Sequence, residues 1–493
     1  MSIQPLEFLK DRRPERPAAA PRKVAWDKII LFGLIGLIVF SPLPQGSVLE
    51  WSVLLIQLGA ISLAAAMVLR TTKPGINPYL EKALRWPRRL FAGFGLVVVL
   101  QVIPLPKVLI RIASPATHAF LQAYSPGFDR ASFATLSLAP GTTLRQGLEV
   151  MAYFLLGVVI VRSITRFSQV QKLTMAIILM GVFEALFGLY MLSQSNPTIL
   201  FYRKTLHLDS VTGTFVNRNH LAGYLEMVLP LTIGFILARI GFFALGQNKK
   251  RGGWREVLSR SSGKALTLDL LLGLAALVMA AALVKSQSRS GLFLLFFSFI
   301  LFAEITAFQL GGSKERKHLS RSFINVAFIL ILVLSLWVGL GTAINRFTQD
   351  DTLFKGGRTM FWGEVTSMIK DFPVFGTGLG TFAAVYPSYE KNGFEMQLTH
   401  AHNDYLESFS EVGLLGGLCL IGGILFLVGK IFMTWRERHS VELKGLALGG
   451  IVSVVVMLFH SLTDFNLHIP ANALLFTVIL SMTAVTVFIR KSE

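Results

Sequence analysis

The sequence predicts an all-α, polytopic membrane protein of about twelve transmembrane helices with both termini cytoplasmic. Three observations carry this. Apolar residues make up 53% of the 493-residue chain and charged residues only 15%, well below the roughly 25% of a soluble domain. Apolar runs long enough to cross about 30 Å of hydrocarbon recur along the chain. The connecting segments between them are unequal in charge: 33 of the 47 Lys and Arg residues fall on one side of the inferred spans, and cytoplasmic loops retain positive charge.

Residues 1–28, with Pro14, Pro17 and Pro21 among Arg and Ala, read as a disordered basic cytoplasmic tail. Spans are then expected to start near Ile29, Ser52, Leu90 and Leu148, making an N-terminal unit over 29–170. Nothing after Phe40 resembles a small-residue cleavage site, so the first span is expected to be a retained anchor. A second unit, 171–465, holds the spans starting near Leu173, Leu221, Ala265, Leu292, Phe323, Tyr405 and Gly445, and a last span from Ala471 lies within 466–493. The net charge of +19 sits largely in short loops beside the membrane, which points to anionic lipid headgroups rather than nucleic acid. The single Cys419 excludes an intramolecular disulfide and reads as a packed apolar residue. No clear internal repeat emerges, which disfavours a repeat-built transporter.

Three outer segments, 104–147, 193–220 and 344–403, are too long for simple connectors, and long loops tend to hold function. In the last, Met360, Phe361, Val365, Met368, Ile369 and Phe372 recur at helical spacing before Pro373. They predict an amphipathic helix lying on the membrane surface or over a cavity. Gly376, Gly378 and Gly380 follow, but with no strand before them and no lysine after, they read as a flexible turn rather than a phosphate loop.

Polar residues concentrate in GTFVNRNH (213–220), SQSRSG (286–291) and HAHN (400–403). Each precedes a span that descends inward, so three helix N-termini, which favour anions, face the outer interface. Arg218 and Arg289 stand at two of these ends, and Arg358 opens the surface helix. Arginine forks match phosphate oxygens; two of them beside helix ends suit a pyrophosphate, although either alone could snorkel to headgroups. Asn217, Asn219, His220 and Ser288 are the flanking support. Histidine has an unperturbed pKa of about 6.5 and can accept a hydroxyl proton near neutrality. His402 is the expected base, while His400 and His220 fit better as interfacial histidines bonded to backbone carbonyls. Asn403, Glu407 and Glu411 follow at four-residue steps on one helix face. They could pair with the arginines, orient the imidazole, or form an interior salt bridge. Glu184, Glu226 and Asp464 with His460 read as structural polar positions. No HExxH, CxxC or Asp-x-Asp occurs, so the site is expected to need neither metal nor cofactor; His400, His402 and Asp404 are the one set that could take zinc.

The motifs resemble those of the O-antigen ligase and O-antigen polymerase family. Its members show His, then Asn, Ser or Gln, nine residues, Gly, two residues, and Gly, Thr or Tyr. Here His402 and Asn403 are followed by nine residues, Gly413, Leu414, Leu415 and Gly416. GTFVNRNHLAGYL around Arg218, SQSRSG around Arg289, and the stretch from Arg358 and Trp362 to PVFGTGLGTF are similar to further family segments, so that 181–465 is covered. The resemblance implies a GT-C-like, inverting, metal-independent glycosyltransferase at the outer face of a bacterial inner membrane. In it, His402 activates the acceptor hydroxyl and Arg218 and Arg289 hold the pyrophosphate of an undecaprenyl-linked glycan donor. The acceptor would be another lipid-linked glycan (a polymerase), lipid A core (a ligase) or a protein side chain. The rival readings are a transporter relaying protons through Glu184, Glu407 and His402, and a lipid-linked glycan flippase, which would share the pyrophosphate site without needing a base.

Overall fold

The computed structural model describes residues 23–70, 77–242, 263–309, 358–391 and 398–489, together with 329 and 333. Its long helices are α1 (Lys23–Phe40), α2 (Glu50–Leu69), α4 (Arg85–Val102), α7 (Pro140–Ser163), α8 (Phe167–Leu192), α9 (Arg218–Arg239), α10 (Gly263–Lys285), α11 (Arg289–Gln309), α14 (Asp404–Glu437), α15 (Val441–His460) and α16 (Pro470–Phe488). Each coincides with an expected span; the span expected near Phe323 lies outside the described residues. Among the described residues, nine helices are long and apolar enough to cross a membrane. The other two, α1 and α4, are 18 residues long and each carries three charged residues near its start, as suits an interfacial end. Helix α1 begins at Lys23, inside the stretch expected to be a disordered tail, because Lys23, Asp27 and Lys28 sit on the polar first turns of the same helix. Asp27 there pairs with Arg70 at the end of α2, 2.5 Å away.

Short elements complete the chain: α3 (Pro78–Ala83), α5 (Lys107–Ala113), α6 (Pro115–Tyr124), α12 (Arg358–Asp371) and α13 (Phe382–Val385), with two minimal hairpins, Leu105–Pro106 on Phe133–Ala134 and Thr198–Ile199 on Tyr202–Arg203.

Three helices form the centre. The membrane-length windows of α9 and α16 are 89% buried and that of α15 78%, against 22% for α2. Lipid cannot supply a hydrophobic driving force between helices, so close backbone approach through small residues has to hold the centre. In α9 and α15 it does: a Cβ on Gly234 would lie 2.5 Å from the Gly449 Cα, and one on Gly445 2.5 Å from the Ala238 nitrogen. Ser453 crosses the same seam to donate to the Met227 carbonyl at 2.6 Å, and the buried pair Glu226 and His460 closes it near the top.

The helices run alternately, so the starts of α9, α11, α14 and α16 and the ends of α4, α8, α10 and α15 share one end of the bundle. Their connectors are tied there. Val211 N–H donates to the Lys285 carbonyl, 3.1 Å, Thr214 donates through N–H and hydroxyl to Glu184, both 2.8 Å, and Gln101 reaches the Phe375 and Glu411 carbonyls at 2.6 and 2.8 Å. Above them α12 lies as the expected amphipathic helix. Phe361 and Val365 join Phe382, Tyr386 and Ala401 in one buried cluster, while Met368 and Phe372 join Val385 and rest on Phe120 and Leu138.

Candidate active site

Helix α14 opens at the HAHN segment. The Asn403 side chain caps it, accepting from Tyr405 N–H at 3.0 Å and Leu406 N–H at 3.1 Å, the usual device for satisfying first-turn donors. Its amide donates to the Leu462 carbonyl at 3.0 Å, and Asp404 N–H donates to that of Ser461 at 2.9 Å. The start of α14 is thereby stitched to the connector 461–469 between α15 and α16.

His402 sits just before the cap with φ +47°, a left-handed conformation uncommon outside glycine. Its Nδ1 lies 3.1 Å from Asp464 Oδ1, and its side chain keeps 28% of its surface exposed against 2% for Asp464. The other oxygen of Asp464 accepts from the Asn219 amide at 2.8 Å, and Phe465 N–H donates to Oδ1 at 2.9 Å. Burial alone would raise the Asp464 carboxyl, but the His402 hydrogen bond and the surrounding imidazoles hold it well below the usual carboxylate range. The sequence reading of Asp464 as merely structural missed this contact. The signal was present in the density of polar residues (His460, Ser461, Thr463, Asp464, Asn466, His468) within one short connector at the His402 end of the bundle.

The two arginine segments reach the same connector. Asn217 caps α9, accepting from Asn219 N–H at 2.9 Å, so Arg218 stands next to the residue that holds Asp464. Ser288 accepts from Gly291 N–H at 3.3 Å at the start of α11, and Ser290, next to Arg289, shares a 2.9 Å hydroxyl contact with Thr463. Both arginines are half-buried. Arg358 opens α12, and Trp362, one turn later, donates its indole N–H to the Ala401 carbonyl at 2.9 Å, which sets α12 over the HAHN loop.

A second network lies beside the first. His400 Nδ1 contacts Glu407 Oε1 at 2.8 Å, Ala401 N–H donates to Oε2 at 2.8 Å, and His468 places Nε2 3.4 Å from Oε1 and Nδ1 2.6 Å from Asp404. Glu407 thus serves His400 and His468, and Glu411 accepts from Phe382 N–H at 3.0 Å. Phe465, which sequence reasoning missed, is the hub: His400 stacks on it at 4.1 Å, and His402 and His220 meet it edge-on at 4.8 and 4.9 Å. His220 is buried there, and its carbonyl accepts from Asn472 at 3.0 Å. Among the described residues, His400, Glu407 and His468 are the group whose ligand atoms, all within 4.8 Å of one another, could hold a metal, rather than His400, His402 and Asp404. Burial opposes protonation of His468, but Glu407 and Asp404 outweigh it and lift the imidazole to about 10.

Residues 274–421 match the family described as O-antigen ligase. The exopolysaccharide production protein ExoQ of Rhizobium meliloti (strain 1021) is 22% identical over 414 residues, covering 78% of this chain and 82% of ExoQ. The His402 motif lies inside the matched stretch. The chain thus resembles the O-antigen ligase and polymerase family, through a matching segment and a distant relative along most of its length. An uncharacterized protein of Haemophilus influenzae is 25% identical over 189 residues, 33% of this chain and 47% of that protein. The matched stretch contains Arg289, Arg358 and His402, whereas Arg218 and Asp464 lie outside it, and Asp464 is joined to it by its contact with His402.

Proposed function

We propose that the protein is a metal-independent, inverting glycosyltransferase at the outer face of a bacterial inner membrane, moving a glycan from undecaprenyl pyrophosphate to an acceptor hydroxyl. The observation that carries this is the Asp464 carboxylate, which takes His402 on one oxygen and Asn219, neighbour of Arg218, on the other. With Nδ1–H donated to Asp464, His402 keeps Nε2 as the proton acceptor, and the carboxylate stabilises the imidazolium that forms. The acceptor oxygen attacks the first sugar's anomeric carbon from the face opposite the pyrophosphate, whose developing charge meets Arg218, Arg289 and the first turns of α9 and α11. Arg358 at the start of α12 is a third donor contact in this reading. The likeness of residues 274–421 to the O-antigen ligase family supports the transfer chemistry at the level of reaction class.

Purified protein supplied with a polyprenyl-pyrophosphate glycan tests it. Arg218→Ala and Arg289→Ala should each weaken donor binding roughly ten- to a hundredfold, the worth of a charged hydrogen bond; unchanged affinity in both removes the pyrophosphate assignment. Transfer should persist in EDTA. Loss restored by added zinc would instead place a working metal at His400, Glu407 and His468.

A further inference from the structure

His400, Glu407 and His468 come from three separate pieces of chain: the HAHN loop, the first turn of α14 and the connector 461–469. Their ligand atoms all lie within 4.8 Å of one another, and the two imidazole rings are 5.5 Å apart at their centroids. Two imidazoles and one carboxylate make a donor set that zinc takes, with a fourth position left to solvent. Around a tetrahedral zinc with bonds of about 2.1 Å, neighbouring donors stand roughly 3.4 Å apart. Nε2 of His468 and Oε1 of Glu407 already have that separation, 3.4 Å. Nδ1 of His400, at 2.8 Å from the same oxygen, has to swing out by about half an ångström to match. Its side chain, 29% exposed, has room to do so.

The residues around this set hold it in the way metal ligands are held. A metal-bound histidine gives its other ring N–H to a carboxylate or carbonyl, which sets the tautomer and aims the free nitrogen. Asp404 does this for His468: its Oδ1 is 2.6 Å from Nδ1, which leaves Nε2 towards Glu407. The second oxygen of Glu407 accepts from Ala401 N–H at 2.8 Å, so the buried carboxylate is fixed as well. Phe465 stacks on the His400 ring at 4.1 Å. Glu407 and Asp404 together offer two negative charges to a divalent ion. His402 stands apart from the set, with its Nδ1 on Asp464.

We propose that His400, Glu407 and His468 bind a zinc ion that clamps the HAHN loop and the start of α14 to the connector 461–469 and takes no part in the transfer itself. The three ligands bridge the two segments that carry His402 and Asp464, so zinc tightens the base against its carboxylate without touching either. Imidazole nitrogens bind metal only when unprotonated, and zinc therefore displaces the proton on His468 to solvent. Magnesium and manganese prefer oxygen donors and fit this set poorly.

The test titrates zinc into full-length protein in detergent, stripped with EDTA and exchanged into chelator-free buffer at mildly alkaline pH, with binding read by competition against a chromophoric chelator. Wild type should take up one zinc per chain and gain roughly 2 °C or more in melting temperature at saturation. His400→Ala and Glu407→Gln should each weaken binding about tenfold or more and lose the thermal shift. If the buried Glu407→Gln does not fold, the partly exposed His400→Ala carries the comparison alone. His402→Ala should keep the wild-type zinc affinity. Wild type binding zinc no more tightly than His400→Ala overturns the proposal, as does magnesium giving the same thermal shift. So does His402→Ala losing zinc as fully as His400→Ala, which would move the ion to His400, His402 and Asp404. These results leave the transferase reading standing. A transfer rate that falls when zinc is removed and recovers when it is restored would make the ion a catalytic one, overturning both this proposal and the metal-independent reading.

Discussion

His402 is constrained twice over, its backbone by the left-handed turn before the α14 cap and its ring by Asp464 and the edge of Phe465. Strained backbone of this kind persists where the surroundings over-determine it, and such residues cluster at functional sites. Asp464→Asn preserves the shape of the contact but removes the negative charge that orients and stabilises the imidazolium. In the proposed mechanism it should lower kcat by roughly 10²- to 10⁴-fold with little change in donor KM, measured on purified protein; a variant as fast as the wild type would leave Asp464 a structural residue. His468 is the other residue whose charge matters. Its pKa is about 10 in the folded protein against an unfolded value near 6.5. A raised folded value means that its stabilising contribution is complete below about pH 6.5 and is lost as pH climbs through about 10. The difference in melting temperature between wild type and His468→Gln should therefore shrink across that window; a constant difference contradicts the ion-paired assignment. His402, Arg218 and Arg289 could be singled out as candidates from the sequence because their motifs are local. Asp464 was not, since it lies 62 residues from His402 with no periodicity linking the two.

At the scale of elements, the instructive one is α14. Sequence reading ran the HAHN helix straight into the membrane, but the helix breaks at Gly413, with φ +63° and ψ −176°, a conformation essentially confined to glycine. The turn 373–381 fills the break: Leu414 N–H donates to the Pro373 carbonyl at 2.8 Å, Thr377 N–H to that of Ser410 at 3.0 Å and Gly378 N–H to that of Glu411 at 2.8 Å. The three glycines read as a flexible turn are packed, and a Cβ on Gly376 would sit 2.3 Å from the Glu411 carbonyl. The spacing of His402 to Gly413 therefore measures one short helix between the site and a backbone crossing. Gly413→Ala should cost about 2–4 kcal/mol, combining the forbidden conformation with a contact of 2.2 Å to the Val374 oxygen. It should be read as a lower melting temperature in detergent, and a variant as stable as the wild type would mean the break tolerates a side chain. Helix existence was legible from apolar run length; this break was not, because a glycine within an apolar run looks like any other small packing residue.

For the whole molecule, the centre built on α9, α15 and α16 gathers the starts of α9, α11, α14 and α16 and the connector 461–469 at the same end. The candidate site residues are far apart in sequence yet are tied to the connector 461–469, so the proposed catalytic unit is a property of the bundle and not of the stretch matched to the O-antigen ligase family alone. Eleven of the twelve spans expected from hydropathy coincide with described helices, whereas which starts converge depended on small-residue contacts such as Gly234 on Gly449 that no single-chain pattern encodes. The most direct measurement is single-turnover transfer by purified His402→Ala, with donor affinity determined on the same preparation. The expected result is a fall in transfer rate of roughly 10²-fold or more at nearly wild-type donor affinity; transfer at the wild-type rate would contradict the account.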